Sequence, residues 1–272
     1  MFELIIIAGA AIAVLALILW GRRPDRRSSA GGAEQGFEIG GKMKLLKVLN
    51  ADMTSPFLGF KFECQKWYHC QDFDNGDAEC SNGFYATPID GLHYAYRPGR
   101  RVFVAEVRGQ SRIFDCMKQR YEDMMLTDEL TADQIKQMAI DAEQRVGYRL
   151  SEVLFPVNPL LLPKAIPTDA DIIMLKQWAS VRDSVWASVW ASVSASVWAS
   201  VSAYVGSLFP NITRWKYAGC FTASGGVIAH EPGIYPFQSA ANLWRRGLVP
   251  SYDGKQWRLH SGPTAEIVWE EK

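Results

Sequence analysis

Arg101–Gly109 reads RVFVAEVRG and Thr131–Gly147 reads TADQIKQMAIDAEQRVG. The first alternates apolar and polar side chains with the period of a strand, which sends Glu106 to the solvent side. In the second, Thr131 and Gln134 have the spacing of a capping box. Ile135, Met138, Ala139 and Ala142 then recur at helical spacing until Gly147 stops the run. A strong strand followed by a capped helix predicts an α+β fold. Working outward, KLLKVLN reads as a strand, Thr54-Ser55-Pro56 as a turn, and GFKFEC and GFYAT as further strands, with a short helix over Ile89–Tyr96. The expected unit, residues 43–165, is an α+β domain containing an antiparallel sheet. It closes at the proline-rich segment FPVNPLLLPKAIP, which cannot continue regular structure.

Upstream, residues 2–20 read FELIIIAGAAIAVLALILW, nineteen residues with Glu3 as the one charge. At about 1.5 Å per residue they make a helix of about 28 Å, enough for a hydrocarbon core of about 30 Å. A cleaved signal peptide would place positive charge before the apolar run and small residues after it. Here Trp20 and GRRPDRR follow, as an interfacial aromatic and a basic stop. The expectation is a single N-terminal transmembrane helix over 1–21 and a lipid bilayer as partner. The amino terminus then lies outside and the later domains in the cytoplasm, unless the membrane is that of a virion. Residues 22–42, rich in Gly, Ser, Arg and Glu, read as a flexible linker.

A second helix is predicted from Thr168-Asp169 into a tetrapeptide repeat, SVRDSVWASVWASVSASVWASVSA, over Ser180–Ala203. Four residues sweep about 400° of helix, so successive valines drift about 40° and wind around the axis. Such a helix has no single wet face and must be covered by copies of itself, by flanking chain or by a partner. The segment 168–209 is therefore expected as a helical repeat rod, with a small β-solenoid as the alternative. Its Trp186, Trp190 and Trp198 would mediate self-association or docking of another protein. Residues 210–272 read as a small αβ tail: a helix over SAANLWRRG with Ser239 as N-cap, then a meander with Asp253-Gly254 at a hairpin turn.

Lys plus Arg equals Asp plus Glu at 29 each, so no global field argues for a nucleic acid partner. Five cysteines, an odd count, suit free thiols. The metal candidates are Cys64, His69, Cys70 and Cys80, but C-x5-C and C-x9-C lack the two-to-four-residue knuckle of zinc sites, so no metal and no cofactor are expected. DFDNGDAEC lacks the calcium-loop pattern and reads as an Asx-rich turn. Cys80 with His93 has no third group to orient it. His260 stands as one histidine on a strand, expected to be satisfied or exposed.

The run KVLNADMTSPFLGFKFECQKWYHC, with CSNGFYATPIDGLHYAY and RVFVAEVRG, resembles an uncharacterised domain of tailed-phage and prophage proteins. The tetrad array followed by YPFQSAANLWRRGLVPSYDGKQWRLHSG resembles their repeat-plus-tail arrangement. Together these span roughly residues 43–163 and 168–270. The resemblance implies no activity and no catalytic residue, and the apolar run at 2–20 departs from it. GFYATPIDGLHYAY followed by RVFVAEVRG is also similar to the part of ADP-ribosyltransferase-like enzymes that holds a nicotinamide dinucleotide. That likeness implies Tyr85 and Tyr94 beside the ring and Glu106 as the orienting acid, with Lys47 the only candidate on the first strand. The expected function is a membrane-anchored structural or interaction protein of phage or prophage type, more a binding protein than an enzyme. A membrane-tethered ADP-ribosyltransferase-like enzyme is the alternative.

Overall fold

The structure is a computed structural model that describes residues 44–272 apart from 79, 116–117, 186–192 and 217–226. It divides into two units, whose described residues are 44–155 and 156–272.

In the first unit, β1 (Leu45–Leu49), β4 (Arg101–Asp115), β5 (Lys118–Leu130) and β2 (Trp67–His69) form an antiparallel sheet in the order β1-β4-β5-β2, and β3 (Phe84–Ala86) also pairs with β5. Two backbone hydrogen bonds between Leu46 and Thr87, at 2.8 and 3.0 Å, tie the end of β3 back to β1. The strands β1, β4, β5 and β3 thus close on themselves. Alternation sorts the side chains. Leu49, Phe103, Ala105, Met124 and Leu126 fill the interior with Phe62, while Leu46, Val48 and Val102 face outward. Helices α1 (Leu92–Ala95), α2 (Ala132–Val146) and α3 (Leu150–Leu154) follow. Ile135, Ala139 and Ala142 of α2 and Leu150 and Leu154 of α3 cover those outward residues. Each fully buried Leu or Val stabilises by roughly 1.5–3 kcal/mol relative to exposure. The Thr131–Gln134 capping box opens α2, and Gly147 closes it at φ 75°.

Some expectations are corrected here. Residues 60–64 make only isolated bridges, Lys61 to Thr54 and Cys64 to Leu126, because Phe60 and Phe62 are hydrogen-bonded back to the preceding turn, at Ser55 and Met53. The segment 118–130, given no strand in the sequence reading, is the central strand β5. The fold is α+β with antiparallel sheets, but the transmembrane helix expected as part of it is not found. No helix among the described residues is long and apolar enough to cross a membrane, and residues 1–21 lie outside the described ones.

The repeat segment is helical where it is described. In the second unit, α4 (Asp169–Val185) and α5 (Val193–Ser207) are helices, and both pack on α6 (Gln238–Arg245); α5 also packs on β8 (Val249–Tyr252). Ser196, Val197, Ala199, Ser200, Val201 and Ala203 of α5 are all buried. The winding pattern is satisfied by flanking chain, because Ser and Ala let neighbours approach closely. Ser200 and Ser207 return their hydroxyls to the carbonyls of Ser196 and Tyr204, at 3.1 and 2.6 Å, which makes their burial tolerable. Thr168 and the buried Asp171 cap α4, and Asp171 also forms an ion pair with Arg246 at 2.7 Å. Helix α6 starts at Gln238 with no side-chain cap, so Ser239 is not its N-cap. β8, β9 (Trp257–Ser261) and β10 (Glu266–Glu270) form the antiparallel meander, and β6 (Arg214–Lys216) pairs with β7 (Val227–Ala229).

Lys47 breaks the apolar pattern of the barrel interior. It is buried, its Nζ donates to the Tyr85 carbonyl at 2.8 Å and stands 5.2 Å from the centre of the Phe62 ring. Burial lowers its pKa from 10.5 to about 8. Below pH 8 both folded and unfolded chains hold the proton, and the folded state carries the cost of a buried charge. Between pH 8 and 10.5 only the unfolded chain still binds it, so stability rises with pH, by on the order of 3 kcal/mol in all. Lys47→Met is expected to raise the urea midpoint at pH 7 and to flatten that alkaline rise, both read from denaturation curves across pH 7 to 11.

Candidate functional site

The α2 and α3 helices cover β1 and the start of β4, and the outer face beyond them carries polar and aromatic groups. Alternation along β4 puts Glu106 and Arg108 on that face, and register extends it. Glu106 lies opposite Met125 and Met125 opposite Trp67, while Arg108 lies opposite Asp123 and Asp123 opposite His69. Two rows thus run across three strands. In the second row, Asp123 Oδ1 lies 2.7 Å from His69 Nδ1 and its Oδ2 accepts from Arg108 Nε at 2.9 Å. The Arg108 guanidinium lies across the sheet against Trp67, its carbon 4.0 Å from the ring centre. The His69 bond, then that of Arg108, holds the Asp123 carboxyl below the usual carboxylate range. With Asp123 accepting from Nδ1–H, a neutral His69 presents Nε2 to solvent as an acceptor. Glu106 is exposed at the rim. The arrangement is a preorganised aromatic and charged patch on an open sheet.

The other sequence candidates lie elsewhere. Tyr85 pairs with Arg120 while Glu106 pairs with Met125, five residues or roughly 17 Å apart along β5. Tyr94 is on α1, its ring 4.2 Å from that of His93. The structure does not bring the three together. Cys64 is exposed, and Cys80 is exposed with Lys118 Nζ at 3.3 Å from its sulfur. Burial pushes the partly buried Cys70 thiol up. His69 alone of the metal candidates sits in the patch, and among the described residues no group of three His, Cys, Asp or Glu is placed to hold a metal ion. Trp198 is partly buried in α5, and Trp186 and Trp190 lie outside the described residues.

Residues 43–138 match a family model described as a domain of unknown function. They carry a DUF7666 domain. It includes every residue of the patch and the start of α2. No curated protein and no solved structure matches the chain.

The Asx-rich loop of the DUF7666 domain is held from below. Arg120, fully buried, donates to the carbonyls of Ala78 and Gly76 at 2.9 and 2.7 Å, between the rings of Phe73 and Phe114. Asp74 accepts from the Gly76 amide at 2.7 Å and from the Ser81 hydroxyl. The Tyr85 hydroxyl bonds both the amide and the carbonyl of Ser81, at 2.8 and 2.9 Å. Gly83 makes this possible. At φ 148°, a Cβ there would stand 2.5 Å from Arg120 Cγ and 2.9 Å from Cδ. Gly83→Ala is expected to cost about 2–3 kcal/mol in urea unfolding and to speed amide exchange in residues 73–83.

Proposed function

We propose that the chain is an interaction protein, and that the outer face of β2, β5 and β4 is where its DUF7666 domain meets a protein partner. The observation that carries this reading is the Trp67–Arg108 stack locked by Asp123 and His69. Tryptophan and arginine dominate binding hot spots, and side chains already ordered lose little entropy on association. Arg108 and Trp67 would anchor the contact, and Glu106 and His69 would set its orientation through charge and hydrogen bonding at the rim. The exposed tip of residues 55–60 adds apolar surface to the same domain. Phe57 and Leu58 are 80% and 79% exposed there, on a turn closed by Ser55 N to Phe60 O at 2.7 Å. A phage or prophage setting rests on the sequence resemblance alone.

The test is photo-crosslinking in the cell that encodes the chain, with p-benzoylphenylalanine replacing Glu106. A discrete adduct is expected. Combining Trp67→Ala with Arg108→Ala should reduce it at least about thirtyfold, the equivalent of about 2 kcal/mol at one hot spot. Adducts that are diffuse, or that survive the double substitution, would overturn the reading.

A further inference from the structure

The turn between α1 and β4 reads Arg97-Pro98-Gly99-Arg100. Arg100 N donates to the Arg97 carbonyl at 3.1 Å and Gly99 stands at φ 84°, the pattern of a type II turn. The first and last residues of such a turn lie within about 7 Å of each other. Both arginines reach back to carbonyls at the end of α1, which the helix itself leaves open. Arg97 Nη1 donates to the carbonyls of His93, at 2.9 Å, and Tyr96, and Arg100 Nη1 donates to that of Ala95. Those acceptors lie within about one helical turn, roughly 5.4 Å, so the two guanidiniums are held side by side. Capping α1 occupies only Nη1 of each and gives no reason to pair two like charges. Every other described arginine of the first unit forms an ion pair with an aspartate or glutamate. Among the described residues, Arg97 and Arg100 meet no carboxylate. Burial, then the charge of Arg100, lowers the pKa of Arg97.

We propose that the turn carrying Arg97 and Arg100 binds the phosphate group of a phosphomonoester. Such a group carries about −1.5 to −2 charges at neutral pH and presents three strong acceptor oxygens. That charge matches two guanidiniums, whereas a carboxylate or a phosphodiester, with one, leaves half of the pair uncompensated. After the carbonyl bonds, three N–H groups of Arg97 and four of Arg100 remain, in the planar forks that grip phosphate oxygens two at a time. Binding removes a repulsion that folding has built in, and the side chains are already ordered by the carbonyls they hold. The site is separate from the aromatic patch, because Arg108 lies seven residues beyond Arg101 along β4, roughly 23 Å. A soluble phosphate ester and the headgroup of phosphatidic acid offer the same chemistry, and the test separates them.

The full chain is treated with phenylglyoxal, which modifies accessible arginines, and the rate at each arginine is read by peptide mapping. Parallel runs contain glycerol phosphate, acetate, or vesicles of phosphatidylcholine with and without phosphatidic acid, all at one ionic strength so that general screening is constant. At about ten times its Kd, the phosphate probe should slow modification of Arg97 and Arg100 about tenfold. Arg101, paired with Glu129, should react at an unchanged rate, and acetate should protect neither arginine of the turn. Protection by glycerol phosphate assigns a soluble ligand, and protection only by vesicles containing phosphatidic acid assigns a lipid headgroup. In calorimetric titrations with the protecting probe, Arg97→Gln and Arg100→Gln should each weaken binding at least about tenfold. The footprint on the wild-type chain decides the matter even where those variants do not fold. Protection by neither phosphate source, equal protection of Arg101, acetate as effective as phosphate, or folded variants that bind unchanged would overturn the proposal.

Discussion

The first unit depends on the closure of its strands through Leu46 and Thr87. Those two hydrogen bonds turn a strip of antiparallel pairs into a ring, which gives β1, β4 and β5 an interior and an exterior. Both sides of these strands then have work to do. Inside, Phe62, Phe103, Met124 and Leu126 build a core. Outside, the same strands supply Leu46, Val48 and Val102 to the helices. A strand buried on both faces loses simple polar alternation, and β1 accordingly reads LLKVL with its one lysine turned inward. The helices are short relative to the sheet, so the second half of β4 passes beyond their cover. The open patch follows from that difference in length. It is where β4 goes on pairing after its helical cover has ended.

Charge is used differently in the two places. Arg120 and Lys47 are buried cations whose hydrogen bonds go to backbone carbonyls, and they shape the interior and the loop above it. Arg108 is held by a carboxylate and an aromatic ring at the surface, with its remaining N–H groups on the solvent side. A buried arginine held by backbone carbonyls is part of the fold. An exposed one that is nevertheless immobilised is poised for recognition, because its ordering entropy has already been met by folding.

Much of this was legible wherever local chemistry decides the structure. The capping box at Thr131 and Gln134, the stop at Gly147, the strand from Arg101 and the meander around Asp253-Gly254 depend on neighbours in sequence, and each stands as read. What stayed hidden depends on distant partners. β5 carries Glu122, Asp123, Asp128 and Glu129, and its polarity masks a strand whose pairing with β4 supplies the missing context. GFKFEC has strand-like residues but makes only isolated bridges, through Lys61 and Cys64. Two of the five patch residues could be found from alternation alone, since it places Glu106 and Arg108 together. Asp123, Trp67 and His69 join them only through register, which a single sequence does not display.

The repeat shows the same limit from the other side. Its drift of about 40° per tetrad correctly demands cover on every side, but the demand does not name the cover. Self-association, a partner and flanking chain all answer it equally well. In α5 the answer comes from α6 and β8, with Tyr235 donating to the Ala203 carbonyl at 2.7 Å and Tyr204 stacked against Trp244. Ser, Ala and Gly at nine of the fifteen positions of α5 let those elements come close enough to exclude water from serines as well as valines. A periodicity that looks like a surface for assembly is here the means by which serines as well as valines of one helix can be buried within its own chain.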